Sequence, residues 1–446
     1  MYKRSLRSLN NKGEENVYTF PYDAVLFDLD GTLTNSEQGI ICSMRYALDQ
    51  MGVEAPAGLD LRCVIGPPLM DSLTGILGLS GEEAHEAIGH YVKHFNREGM
   101  YLYSVYPNIR SILKMLRDGG VYVALATSKP VQPAMAILNH FGLTHFFNRI
   151  ITEEDNERVV NKPELIRRAL PEHYRHAAMV GDRFYDIEGA LENHIDAIGA
   201  GYGFGSEDEL LKAGATHVVP DTESLRAFLC PGAPVPRGFF LSVEGLDGSG
   251  KTTQVDRLEQ SLREYGFSVL RTREPGGCPI SEEIRHTILT TDHMEMCPSC
   301  EALLYAAARA QHVHEVIRPA VERGMLVLCD RFVDSSVAYQ GGGRELGADT
   351  VCQINAPAVG DMLPDATVYL EVDYRRALNR RHNASSLDRI EVESGAFHAR
   401  VQETYEKIIR SDPKRFLVVD GEQDVDTVAA DVLDAVLSRL EPEIED

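Results

Sequence analysis

The stretch Ala24–Leu33 reads AVLFDLDGTL, an apolar run that ends in two aspartates, Asp28 and Asp30, followed at once by Gly31. A short unbroken run of this kind predicts a parallel strand buried on both faces. Side chains two apart on a strand share a face. Both carboxylates are therefore expected in the loop region beyond the strand's C-terminal end, where open α/β sheets bind ligands. Two close carboxylates repel, which favours a divalent cation or a shared proton between them, and oxygen ligands suit Mg²⁺. An EF-hand does not fit, because its loop glycine stands sixth and Gly31 is fourth from Asp28.

Further runs extend the same pattern. Val121–Thr127, Ala177–Asp182 and Ile195–Ala200 predict more buried strands of one sheet. Between the first two strands, residues 35–106 carry helical spacing (Ile40, Ile41, Met44, Ala47, Leu48) and read as a helical insertion. A second series begins with GFFLSVEG at Gly238–Gly245 and continues through FSVLRTREP, MLVLCDR, ATVYLEVD and RFLVVDG. The two series are separated by CPGAPVPRG, Cys230–Gly238, whose three prolines remove donors and fix the backbone. The expected organisation is a disordered lead-in over 1–20, an α/β domain over 21–229, a linker over 230–237 and a second α/β domain over 238–442.

A chain of 446 residues is long enough for two or three such cores. Its net charge of −24 disfavours a nucleic-acid polymer as partner, since that needs a basic surface. Small phosphorylated substrates remain open, because a few local cations or Mg²⁺ suffice. No apolar run reaches the length needed to span a bilayer. The polar MYKRSLRSLNNKGEEN lacks the apolar centre of a secretory signal. Eight scattered cysteines fit a reducing cytoplasm, and Cys297-Pro-Ser-Cys300 is a lone CxxC read as coincidence.

Asp28 and Asp30, Thr127 ending VALAT, Lys162 in NKPE, and Asp182 and Asp186 in GDRFYD follow one another in the order seen in haloacid dehalogenase-like phosphohydrolases. The segment resembles that family, within it the phosphoglycolate phosphatase-like and 5′-nucleotidase-like members. The resemblance implies a Rossmann-like parallel sheet with a helical cap. It implies Asp28 as the nucleophile that becomes an aspartyl-phosphate and Asp30 as general acid, then base. Asp28, the Asp30 carbonyl and Asp182 would hold Mg²⁺ with support from Asp186, and Thr127 and Lys162 would bind phosphate oxygens. The cap's VIGPPL (64–69) is read either as a substrate loop or as an interhelical turn. The glycine-rich Ile198–Ser206 is read as a plain loop.

In the second domain Gly245-Leu246-Asp247-Gly248-Ser249-Gly250-Lys251-Thr252-Thr253 satisfies GxxxxGK[ST] directly after a predicted strand. Such a loop cradles phosphates with backbone amides, its Lys reaching the β/γ-phosphates and its Thr hydroxyl the Mg²⁺. Together with TREPGG, LLYAAARAQH, CDRFVDSSVAYQGGGRELG and LDRIE, the segment resembles thymidylate kinase. The resemblance implies a P-loop α/β fold, ATP and Mg²⁺, dTMP as acceptor and a homodimer. It implies Tyr305 stacked on the base and Arg309 reaching a base oxygen. Ser336, Tyr339, Gln340 and Asp247 would surround sugar and base, with Asp330 and Arg331 at the acceptor phosphate. Since the P-loop carries no Arg, Arg380, Arg381 and Arg389 are candidates for a lid over the donor, with Arg381 and Arg389 expected to act catalytically. A bifunctional cytoplasmic enzyme is expected; the alternative is a first domain that regulates or dimerises the kinase.

Overall fold

The computed structural model describes residues 20–56, 58–66, 69–153, 161–382 and 388–440, apart from the side chains of residues 381 and 382. The expected lead-in therefore lies outside the described residues except for Phe20. The chain forms two compact units, whose main division falls between Pro234 and Val235.

In the first unit the strands are β1 (Ala24–Phe27), β2 (Thr34–Asn35), β3 (Ser104–Val105), β4 (Tyr122–Pro130), β5 (Arg149–Glu153), β6 (Ala177–Gly181), β7 (Asp196–Ala200) and β8 (His217–Val219). Six of them make one sheet in the order β5-β4-β1-β6-β7-β8. Its pairs are parallel. β1 lies at the centre with every residue buried, which is why its sequence carries no polar alternation. β5 and β8 escape the sequence reading because they are edge strands of mixed exposure, RIITE and HVV, with no unbroken apolar run.

The insertion is helical, as expected, with main helices Glu37–Met51 and Gly81–Arg97. The first buries Ile40, Met44, Ala47 and Leu48 along one face. The second starts from a capping box in which Ser80 and Glu83 satisfy each other's amides. The insertion leaves and re-enters the sheet unit through an antiparallel ribbon, β2 against β3, pairing Thr34 with Val105 and Asn35 with Ser104.

The second unit holds β9 (Phe239–Gly245), β10 (Val269–Arg273), β11 (Leu326–Asp330), β12 (Ala366–Glu371) and β13 (Phe416–Asp420). They form one parallel sheet ordered β10-β11-β9-β12-β13. β9, again central, delivers its C-terminal end to the loop before the helix Lys251–Glu264. Both sheets thus place their sharpest motif beyond the end of the middle strand, where neighbouring strand ends diverge.

Candidate active sites

In the first unit, the pairing of Phe27 with Leu125 and Val180 brings three strand ends level. Asp28 follows β1, Thr127 lies in β4, and Asp182 follows β6. Lys162 opens the helix Lys162–Ala169, which is fixed by an Asn161 cap and a proline in its first turn. The Lys162 Nζ lies 2.6 Å from Asp28 Oδ1 and 2.7 Å from Asp186 Oδ1. Asp28, Asp182 and Asp186 are all buried and offer oxygens within 4.8 Å of one another.

Three carboxylates against one ammonium is an electrostatic imbalance in a buried space. Burial, with Asp186 and Asp28 adding to it, pushes the Asp182 carboxyl well above its ordinary range. Burial also lifts Asp186 to about 6, although Lys162 pulls it down. Lys162 goes up despite its burial, because Asp186 and Asp28 outweigh the loss of water. One Asp182 oxygen accepts the Phe204 amide at 2.8 Å, while its Oδ1 is buried without a hydrogen bond. The donor set, its charge and that orphaned oxygen fit a hard divalent cation such as Mg²⁺.

Gly31 has φ +80°, and a Cβ there would stand 2.1 Å from Asp182 Oδ2, so the glycine lets the first loop close over that carboxylate. The glycine-rich loop 198–206 is more than a connector. A Cβ on Gly205 would lie 2.0 Å from the Asp182 carbonyl oxygen, and the loop supplies the Phe204 amide.

Asp30 stands apart from the cluster. Its Oδ2 takes the Lys129 Nζ at 2.8 Å, and the same ammonium donates to the Tyr103 hydroxyl at 2.9 Å. Thr127 is buried, and its hydroxyl accepts the Lys129 amide at 3.3 Å. Of VIGPPL, Pro67 and Pro68 lie outside the described residues. Ile65 and Gly66 are pinned by their carbonyls, which accept from Arg183 at 2.8 Å and Tyr185 at 3.1 Å. Lys129, Arg183 and Tyr185 were missed in the sequence because they fill spacer positions of TSKP and GDRFYD.

The second site is a cavity of about 870 Å³, with Lys251, Tyr305, Arg309, Asp330, Arg331 and Gln340 among its walls. Asp247, Gly248, Gly250, Thr252 and Thr253 also face it, as do Ser336 and Tyr339. Gly245, Leu246 and Ser249 are buried and shape the loop from behind. Gly248 has φ +84°, and a Cβ there would meet the Ala377 carbonyl at 2.1 Å. Lys251 is 7% exposed and donates to the Leu246 carbonyl at 2.7 Å. Burial, with nearby Arg331, lowers its ammonium to about 8. The Thr252 hydroxyl stands 3.5 Å from Asp330 Oδ2, so the two could share a cation.

Arg331 leaves β11 with φ +70° and pairs with Asp247. Its guanidinium lies 5.0 Å from the centre of the Tyr339 ring, whose hydroxyl donates to Asp247 at 2.8 Å. Burial would raise the Asp247 carboxyl, but Arg331 and Lys251 hold it well below the ordinary range. Arg309 is 2% exposed and clamped by Glu274 at 2.7 Å, Ser336 at 3.1 Å and the Phe332 carbonyl at 3.2 Å. Gln340 donates to Glu301 at 2.8 Å, leaving its buried Oε1 without a hydrogen bond.

Glu274 and Glu301 were missed as site-building groups. The acid in TREPGG was the available signal for the first, and nothing in the local sequence marked the second.

Arg389, expected as a lid cation, does not stand free: it is 2% exposed, paired with Glu301 at 2.7 Å and donating to the Ile288 carbonyl at 2.8 Å. Glu301 is wholly buried, so its charge demands a partner, and Arg389 and Arg344 supply it. The Arg381 side chain lies outside the described residues, and Arg380 stands 3.4 Å from the Gly421 carbonyl.

Comparison with known proteins divides the chain in the same way. Residues 243–432 match the thymidylate kinase family and residues 25–200 the haloacid dehalogenase-like hydrolase family. The chain is 47% identical over 206 residues to the thymidylate kinase of Halalkalibacterium halodurans, covering 46% of this chain and 98% of that one. It is 48% identical over 210 residues to the enzyme of Geotalea daltonii, covering 46% and 98%. Among solved structures, a haloacid dehalogenase-like family hydrolase from Streptococcus pneumoniae matches with 27% identity and TM-score 0.42, covering 46% of this chain and 97% of that one. No helix among the described residues is long and apolar enough to cross a membrane.

Proposed function

The chain belongs, through its C-terminal half, to the thymidylate kinase family, and from that premise we propose a bifunctional enzyme. Its second unit moves the γ-phosphoryl of ATP to dTMP, and its first hydrolyses a phosphate monoester through an aspartyl-phosphate. The observation that carries the kinase half is the 870 Å³ cavity, which joins the P-loop lysine to the Tyr305–Arg309 face. The one that carries the phosphatase half is the buried cluster of Asp28, Asp182, Asp186 and Lys162.

In the kinase, an oxygen of the acceptor phosphate bonds to the γ-phosphorus as the bond to the β-phosphate oxygen breaks. The P-loop amides and Lys251 balance charge on the transferring group. Arg331 grips the acceptor phosphate. Tyr305 offers a flat face to the base, and Gln340 offers a bare acceptor oxygen to a ring N–H. Tyr339, a wall of the same cavity, would crowd a 2′-hydroxyl. Thr252 and Asp330 would hold Mg²⁺. Pairing of two chains through this unit is proposed by analogy with the thymidylate kinase family.

In the phosphatase, Asp28 attacks phosphorus and the leaving oxygen takes a proton from Asp30. Water then attacks the aspartyl-phosphate, returning a proton to Asp30 and releasing inorganic phosphate. Lys162 and Thr127 bind the phosphoryl oxygens. Asp28, the Asp30 carbonyl, Asp182 and Asp186 would hold Mg²⁺, whose charge would stabilise the pentacoordinate phosphorus.

Hydrolysis of dTMP would undo the neighbouring reaction, so the preferred ester is a different one, such as phosphoglycolate or a non-canonical nucleotide. The test runs the full chain on two panels. With ATP and dTMP, dUMP, dCMP or AMP, dTMP is expected to react fastest; AMP in first place refutes the kinase assignment. In phosphate release from a metabolite panel, dTMP is expected well below the best ester; dTMP at the top refutes the proposed division of labour.

Metal dependence gives a second check. Millimolar Mg²⁺ is expected to raise the unfolding temperature of the first unit, because it binds the folded carboxylate cluster and not the unfolded chain. Asp182→Asn is expected to abolish both that rise and phosphate release. A variant that keeps the full rise places the cation elsewhere.

A further inference from the structure

Asp30 differs from the other acids of its site in what holds it. Asp28, Asp182 and Asp186 converge on one another, but Asp30 is tied by Oδ2 to Lys129 at 2.8 Å. Its Oδ1 is buried and accepts no hydrogen bond. Lys129 is itself boxed in: its side chain is 10% exposed and donates to the Tyr103 hydroxyl at 2.9 Å. Its ammonium lies 4.9 Å from the centre of the Phe95 ring and 5.0 Å from that of Tyr103. Both aromatics come from the helical insertion, whereas Lys129 belongs to β4 of the sheet. An ammonium caged by two ring faces, a hydroxyl and a carboxylate has few alternative positions.

We infer that Lys129 is a positioning residue for the acid step: it anchors one oxygen of Asp30 so that the other faces the departing oxygen, and it does so only while the insertion supplies Phe95 and Tyr103. The inference rests on the phosphatase reading above. In the step concerned, the Asp28 oxygen–phosphorus bond forms and the ester phosphorus–oxygen bond breaks. The electron pair stays on the leaving oxygen, which takes the proton carried by Asp30 Oδ1. Without the anchor the carboxyl is free to rotate, and proton delivery becomes the weak part of the reaction.

That defect has a signature that general damage lacks. An alkoxide is a poor leaving group and needs the proton; p-nitrophenolate leaves without it. The ratio kcat/KM reports only steps up to the first irreversible one, so it isolates departure from the later hydrolysis. The full chain is assayed with p-nitrophenyl phosphate and with the best alkyl ester of the metabolite panel. Lys129→Met removes the ammonium and keeps an unbranched apolar stem one atom shorter beside the rings. It is expected to lower kcat/KM for the alkyl ester at least tenfold more than for the aryl ester. Tyr103→Phe, which removes only the hydroxyl, is expected to shift the ratio in the same direction by at least threefold.

Equal losses on the two esters, in both variants, would mean that Lys129 serves packing alone and would overturn the inference. So would an unchanged ratio with no loss. If the unmodified chain releases phosphate from neither ester, the phosphatase reading itself fails and this inference falls with it.

Discussion

Replacing Asp28 by asparagine is expected to cut phosphate release from every monoester that the chain hydrolyses by at least about 10⁴-fold. Phosphoryl transfer to dTMP should stay within about twofold of the unmodified chain, because the kinase site is built wholly from the other unit. The amide has nearly the shape of the carboxylate, but its nitrogen has no nucleophilic lone pair to offer phosphorus. Lys162 loses one anionic partner at 2.6 Å and keeps Asp186 at 2.7 Å, so the site stays assembled. The direct readout is label: phosphate from a labelled ester should appear on the protein during turnover and vanish in the variant. Label that persists in Asp28→Asn would place the nucleophile elsewhere.

Lys251→Met is expected to lower phosphoryl transfer on the order of 10³-fold without weakening the fold. Burial holds this ammonium at about 8 against an ordinary 10.5. A lowered folded pKa means that charge on the lysine opposes folding. The cost is present in full below pH 8 and fades as pH rises toward 10.5. At pH 7 the methionine removes that cost and loses one hydrogen bond to the Leu246 carbonyl. The nucleotide-free unfolding temperature is therefore expected not to fall, while the protection given by ATP largely disappears. A variant that unfolds earlier without nucleotide would show Lys251 to be structural, and one that transfers phosphate normally would remove it from the reaction.

The two residues illustrate how unevenly a sequence discloses a site. Asp28, Asp182 and Lys162 lie far apart in the chain: Asp28 was marked by the buried strand it follows, whereas Lys162 and Asp182 were marked only by their order in the family resemblance. Asp247 and Lys251 were marked because a phosphate loop must be contiguous to turn its amides inward. The central strands β1 and β9 were legible for a related reason: burial on both faces leaves β1 wholly apolar and β9 apolar except for Ser242 and Glu244. The edges β5 and β8 were not, since one-sided cover allows arginine and histidine.

What the sequence determined by itself was local or periodic: two sheets, the loops at their central strands, and the acids and lysines that those loops carry. What only the tertiary structure decided was which charges meet. Arg389 looked like a mobile cation in a polar stretch, but the wholly buried Glu301, some ninety residues earlier, claims it. Lys129 looked like a spacer, but Asp30 and two aromatic rings from the insertion enclose it. A buried charge takes whatever partner the fold brings within about 3 Å, because leaving it alone costs several kcal/mol. That partner is set by packing between distant elements, and no spacing rule along the chain encodes it.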